Sequence, residues 1–154
     1  MRTAWRIVKK RYASSAFNGE GARRFGGRWN SPGISVVYVS SSRSLAVLEM
    51  AVHLDASALL ASFVLIPCEF EERLLTAVDR HALPAGWRDN PAPPDLAAIG
   101  DGWVKQARSA VLAVPSAIIE EESNFLLNPA HPAFSQVRIG EPQNFEFDER
   151  LIRA

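Results

Sequence analysis

A single cysteine, Cys68, stands in 154 residues, so the chain has no internal disulfide framework and no thiolate pair to hold a metal. The run Phe63-Val64-Leu65-Ile66-Pro67-Cys68 reads that cysteine as a small core residue rather than a nucleophile. Histidine is scarce too, and His53, His81 and His131 lack the close spacing of a zinc site. No apolar stretch is long enough for a bilayer: the greasiest, Ala56 to Pro67, is short and broken by serines. The basic amino terminus lacks the apolar run of a signal peptide, so a cytoplasmic protein without membrane contact is expected. Repeats, heptads and low-complexity tracts are absent, and one domain over residues 1–154 is the expectation. Seventeen basic residues cancel seventeen acidic ones, which removes the usual electrostatic basis for direct nucleic-acid binding.

The distribution of charge is uneven. Residues 1–30 hold eight Lys/Arg against Glu20 alone, a balance of +7 that the rest of the chain reverses. Within this segment lies Gly19-Glu20-Gly21-Ala22-Arg23-Arg24-Phe25-Gly26-Gly27-Arg28-Trp29-Asn30, where four glycines in nine positions let a backbone approach a ligand closely. It is no dinucleotide fingerprint: the third glycine of that motif would fall at Arg24, no strand clearly precedes the loop, and the P-loop Lys-Ser/Thr pair is missing. Arg23, Arg24 and Arg28 point instead to side-chain recognition of an anion by planar guanidinium groups, with Arg6 as a further candidate. The competing reading pairs these cations with acids elsewhere in the fold.

Ile34 to Val39 is β-branched and aromatic, follows the turn signal Asn30-Ser31-Pro32-Gly33, and reads as a strand. Ser40-Ser41-Ser42 supplies an N-cap for a helix over Arg43 to Leu54. Further strands are expected at Phe63 to Phe70, Val111 to Ile119, Phe134 to Ile139 and Phe145 to Phe147, with helices near Glu71 to His81 and Asp101 to Ala110. Pro84 to Pro94 reads as an exposed loop, and Glu120-Glu121-Glu122 as a solvated one. The irregular order predicts an α+β fold around a mixed or largely antiparallel sheet.

The Arg43 helix is apolar on nearly every side, which predicts burial and leaves Glu49 as a carboxylate needing an explanation. It is either half of an internal ion pair or a functional group projecting into a cleft. Tyr38, at the end of the preceding strand, is placed to share such a cleft. Ser116 follows Pro115 without a nucleophile elbow, so a Ser-His-Asp hydrolase using His131 is disfavoured.

Gly26-Gly27-Arg28-Trp29-Asn30-Ser31-Pro32-Gly33, Tyr38, Glu49, Val114-Pro115-Ser116 and Asn128-Pro129-Ala130-His131-Pro132 together resemble the RES toxin family in order and spacing, over about Trp5 to Ile139. The family is named for an arginine, a glutamate and a serine, which match Arg28, Glu49 and Ser116. The resemblance implies an ADP-ribosyltransferase-like fold, NAD⁺ as substrate without a metal, and the toxin role in a toxin–antitoxin pair. It implies an Xre-like helix-turn-helix antitoxin as partner and a possible homodimer. The expected reaction cleaves the nicotinamide–ribose bond by hydrolysis or phosphorolysis, with protein mono-ADP-ribosylation as an alternative. A non-catalytic RNA- or protein-binding module is the reading from another class. The resemblance assigns Arg28, Tyr38 and Glu49 to catalysis, and Arg28, Tyr38, Ser116 and Asn128 to binding NAD⁺.

Overall fold

The computed structural model describes residues 1–152. Eight strands form one sheet: β1 (Arg2–Lys9), β2 (Val37–Ser40), β3 (Phe63–Phe70), β4 (Leu75–Ala77), β5 (Val111–Pro115), β6 (Ser123–Leu127), β7 (Arg138–Ile139) and β8 (Gln143–Phe145). Three α-helices accompany them: α1 (Glu20–Phe25), α2 (Arg43–Ala51) and α3 (Pro94–Gln106). The sheet order is β4-β5-β6-β2-β1-β3-β7, with β8 also on β3. Only β4 and β5 run parallel. This is the α+β class expected from the sequence, and no helix among the described residues is long and apolar enough to cross a membrane.

The sheet has a weak seam. β1 pairs with β3 along its whole length, from Arg2↔Phe70 to Lys9↔Phe63. On its other side β1 meets β2 at one registered pair, Trp5↔Ser40. The ladder between the halves β4-β5-β6-β2 and β1-β3-β7 is therefore one pair long, and a shared apolar cluster on one face holds them together. Val37, Val39, Val64, Ile66, Phe70 and Phe125 pack on one face. α2 lays Ala46 and Val47 over Ile7, Phe63 and Leu65, and α3 packs Leu96 and Trp103 against Trp29, Val36 and Leu126.

Several expectations shift. β1 was not anticipated, because Trp5 and Arg6 interrupt its apolar alternation. The expected helix over Glu71 to His81 is instead a 3₁₀ turn at Glu72–Leu74, strand β4, and a second 3₁₀ turn at Arg80–Ala82. Pairing of Leu75 with Val111 overrides local helix propensity here. Helix α3 begins at Pro94, not near Asp101, because a proline is well suited to the first helical turn, where its missing N–H has no partner to lose. The strand from Val111 ends at Pro115, and Phe134 belongs to a 3₁₀ turn, Pro132–Gln136, ahead of the two-residue β7. β8 is displaced from Phe145 to Phe147 onto Gln143–Phe145. β6 and α1 were also unanticipated, since the acidic run and the glycines mask them.

Helix α2 is capped as expected, Ser42 accepting from the Leu45 amide at 3.0 Å. It stops at Ala51, and it is not buried all round. Leu45, Ala46 and Val47 are buried, whereas Val52 beyond its end is 62% exposed. Its second apolar side faces an open cleft rather than core.

Candidate active site

That cleft, of about 970 Å³, lies at the seam between β1 and β2. Glu49 and Met50 line it from α2 and His53 from the turn beyond it, Tyr38 and Ser40 from β2, and Arg6 from β1. The glycine-rich segment forms another wall, including Arg28. Asp101 Oδ1 of α3 accepts from the Ser31 amide at 2.9 Å and steadies that wall. Gly100 lets α3 approach so closely that a Cβ there would sit 1.7 Å from the Trp29 carbonyl oxygen. The glycines thus have steric work to do: a Cβ on Gly27 would lie 2.6 Å from the Tyr38 hydroxyl.

Glu49 is held by one oxygen. Its Oε1 accepts from Ser116 Oγ and from Asn124 Nδ2, each at 2.7 Å. Oε2 has no partner among the described residues, yet no fully buried side-chain polar atom lacks one, so Oε2 opens to the cleft. Glu49 forms no ion pair among the described residues, which leaves the internal-pair reading without a partner. Both donors are themselves fixed. The amides of Ile118 and Ile119 donate to Ser116 Oγ at 3.0 Å, and Ser40 Oγ contacts Asn124 Oδ1 at 2.7 Å, which orients the amide.

Tyr38 presents its ring to the cleft while its hydroxyl is tied inward, donating to Asn30 Oδ1 at 2.6 Å and accepting from the Trp29 amide at 3.1 Å. Burial pushes its pKa well above the ordinary tyrosine value. Asn30 is 1% exposed and donates in turn to the carbonyls of Ala22 and Ile34. Arg28 Nη1 donates to the carbonyls of Trp87 at 3.0 Å and Asp89 at 2.9 Å. This draws the proline-rich loop against the cleft, where Arg88, Asn90 and Pro91 join the lining. Arg88 anchors the same loop to the acidic run through Glu120 at 2.9 Å, so Glu120 is paired rather than merely solvated.

The structure thus brings Arg28, Tyr38 and Glu49 to one cleft. Ser116 is fully buried behind Glu49 and does not line the cleft. Asn128 lies beyond the far end of β6, 1% exposed, where its Oδ1 accepts from the Ala130 amide at 3.0 Å. His131 accepts from the Ala133 amide through Nδ1 at 2.9 Å. The Asn128-to-Pro132 block therefore shapes a turn away from the cleft, and direct contact of Ser116 or Asn128 with a cleft ligand is not what their placement supports. Asn124 escaped the sequence reading, because the strand that carries it, β6, was itself unanticipated. Cys68 is fully buried, and burial pushes its thiol up to about 12.

A mixed sheet parted over a cleft that holds one anchored carboxylate defines the class, an α+β protein as expected from the sequence. The chain belongs to the RES domain family, whose model matches residues 3–148. It is 40% identical to a protein named Toxin Res from Yersinia enterocolitica over 148 residues, covering 96% of this chain and 97% of that protein. It is 37% identical to the Prs ADP-ribosylating toxin of a Sphingobium species over 154 residues, covering 97% and 96% respectively. A chain of the M. tuberculosis MbcT–MbcA toxin–antitoxin complex superposes with a TM-score of 0.78 at 18% identity, covering 94% of this chain and 84% of that one.

Proposed function

We propose that this protein is the toxin of a toxin–antitoxin pair and that it cleaves the nicotinamide–ribose bond of NAD⁺. The observation that carries the reading is Glu49, with Oε1 fixed by Ser116 and Asn124 and Oε2 open to the cleft. Breaking the C1′–N bond sends its electron pair to nicotinamide and leaves positive charge on the ribose, as in glycoside hydrolysis. A carboxylate oriented before the reaction stabilises that charge without reorganising. Tyr38, its hydroxyl already satisfied, offers a ring face to the cationic nicotinamide. Arg28 keeps Nε and Nη2 for a phosphate or a ribose hydroxyl while Nη1 holds the loop. Ser116 acts through Glu49, and Asn128 through the turn it closes.

The acceptor completing the new bond to C1′ is water or inorganic phosphate. Transfer to a protein side chain is the second reading, supported by the 37% identical Sphingobium relative, which is named an ADP-ribosylating toxin. Incubation of the purified protein with NAD⁺ tests both, with chromatography for nicotinamide and mass spectrometry for the ribosyl product. Free ADP-ribose or its phosphorylated form supports cleavage; labelled protein from a tagged NAD⁺ supports transfer; no nicotinamide release rejects both. A partner that blocks the cleft, the Xre-like antitoxin of the family, fits the open, cation-lined mouth. A complex with that partner that retained full turnover would reject occlusion.

A further inference from the structure

Both donors that hold Glu49 come from one hairpin. Residues 116–122 join β5 to β6, with Ser116 at the start of that loop and Asn124 just past its end, where it pairs with Val114 across the ladder. The loop closes on itself: the Ser116 amide donates to the Glu122 carbonyl and the Glu122 amide to the Ile119 carbonyl, each at 2.9 Å. Within it the amides of Ile118 and Ile119 point at Ser116 Oγ. The opposite side of this turn is held from outside the hairpin. Arg88 Nε donates to the Ala117 carbonyl at 3.0 Å, Nη2 to the Ile118 carbonyl at 3.3 Å, and Nη1 to the Glu120 carboxylate at 2.9 Å.

Arg88 is aimed by its own neighbours. The flanking carbonyls of Trp87 and Asp89 both accept from Arg28 Nη1. Trp87 packs into the cluster around Trp29 and Leu96, and the Asp89 amide closes a turn onto the Gly86 carbonyl at 2.9 Å. The proline-rich segment is thus a strap, fastened to the glycine-rich wall on one side and gripping the hairpin on the other. Although Arg88 lines the cleft, each of its three guanidinium nitrogens donates to the hairpin, which commits it to that loop rather than to a ligand. An ion pair with side chains 44% and 51% exposed contributes little to stability. Three donors converging on residues 117–120 do fix position, and the groups so fixed include the amides that orient Ser116 Oγ toward Glu49.

We propose that Arg88 is a positioning residue for the cleft carboxylate, acting through the 117–120 turn and Ser116 on Glu49 Oε1. The activity it serves rests on the NAD⁺ reading; the hydrogen-bonded path stands on the structure alone. Misplacing a reacting group by about 1 Å costs about 10²-fold in rate, so a residue that touches no substrate controls turnover in this way.

Arg88→Met keeps the stem and removes every donor. It is expected to lower kcat on NAD⁺ about 10- to 100-fold with KM changed less than about 3-fold, while Tm stays within about 4 °C of the unmodified protein. An unchanged kcat, or a rise in KM alone, overturns the proposal. The substitution is also made on Ser116→Ala. Since the path runs through Ser116, Arg88→Met should lower kcat less than about 2-fold further in that background, and independent, multiplying effects would refute the path. Amide hydrogen exchange supplies a readout without substrate: Ile118 and Ile119 should exchange about 10-fold faster in Arg88→Met while the amides of β6 keep their protection. Unchanged protection at Ile118 and Ile119 is contrary to the proposal. If the unmodified protein releases no nicotinamide, the NAD⁺ reading fails, and hydrogen exchange still decides whether Arg88 holds the turn. Should Arg88→Met not fold, Arg88→Lys takes its place. One ammonium cannot span Ala117, Ile118 and Glu120 together, so a lower kcat and faster exchange at Ile118 and Ile119 are again expected, and unmodified values of both would overturn the proposal.

Discussion

Replacing Glu49 with glutamine changes charge at nearly constant shape, and the hydrogen-bond pattern around it fixes what should follow. The amide oxygen of Gln takes the place of Oε1 and keeps both donors, Ser116 Oγ and Asn124 Nδ2. The new NH₂ group lies where Oε2 opened to the cleft, so no group is stranded. Each of the two bonds passes from charge-assisted to neutral and weakens by about 1 kcal/mol. Release of a partly desolvated carboxylate offsets that loss. Net stability should change by no more than about 2 kcal/mol, a shift in Tm of about 8 °C at most for a chain of this size. Had Glu49 been half of a buried ion pair, the loss would be about 3–5 kcal/mol. Turnover should respond far more. Removing one preorganised electrostatic group costs about 10²- to 10³-fold in kcat, and Glu49 is held in place by two donors that are themselves fixed. Thermal unfolding and nicotinamide release are measured on the same preparation. A folded variant with unimpaired turnover, or an unstable but active one, would refute the reasoning and leave Glu49 a structural residue.

Arg28→Lys keeps the charge but loses the planar donor fork, so kcat/KM on NAD⁺ should fall about 10²- to 10³-fold while circular dichroism stays unchanged. Asn124→Leu removes a donor to Glu49 and leaves Ser40 without its partner; nicotinamide release should fall about 10- to 100-fold, and an unaffected rate would show that Ser116 alone positions the carboxylate. Gly100→Ala drives a methyl group into the Trp29 carbonyl, so chemical denaturation should show a loss of at least about 3 kcal/mol, and a neutral result would mean α3 can slide away freely. Nicotinamide is a good leaving group because it departs from a cationic bond and needs no Lewis acid, so EDTA should leave the rate unchanged; loss with EDTA and recovery with zinc or magnesium would reject that mechanism.

How far the sequence spoke depended on whether a residue's partners were local. Ser42 before an apolar helix is a local signal, and the helix began where it was expected. The run Phe63 to Phe70 held as β3 residue for residue, because Phe63 to Ile66 is apolar and buried on both faces, a pattern that the exposed Glu69 near its end does not break. β1 is the reverse case. Its pairing with β3 is complete, yet Trp5 and Arg6 belong to the cleft and blur the alternation on which a strand is recognised. The candidate site divides in the same way. Glu49 was legible as a charge out of place on an apolar helix. Asn124 was not, since its importance comes entirely from Glu49, 75 residues earlier in the chain. Ser116 and Asn128 were named, but a sequence motif does not tell a group that touches a ligand from one that holds a loop. Ser116 stands behind the carboxylate and Asn128 inside a turn.

The cleft itself follows from the way this sheet is left unfinished. Buried backbone carbonyls need donors, and where two strands part, the ladder no longer supplies them. β1 and β2 part after the single pair Trp5↔Ser40, and the Tyr38 carbonyl, left facing β1, accepts from Arg6 Nη1 instead of from a strand amide. A side chain that reaches across such a gap must be long and rich in donors, and arginine satisfies the carbonyls of Tyr38 and Ala16 at once. Its third donor group and its charge are then surplus to the backbone's needs and lie at the opening. The same parting exposes the second apolar side of α2, so Met50 lines a cleft and Glu49 keeps one free oxygen beside it. Closing the sheet by extending the β1–β2 ladder would satisfy the backbone with no cation and bury that side of α2. It would also erase the site. The sheet's incomplete pairing therefore places a cation and a carboxylate in one cleft, the arrangement a ligand with an anionic end and a developing positive charge calls for.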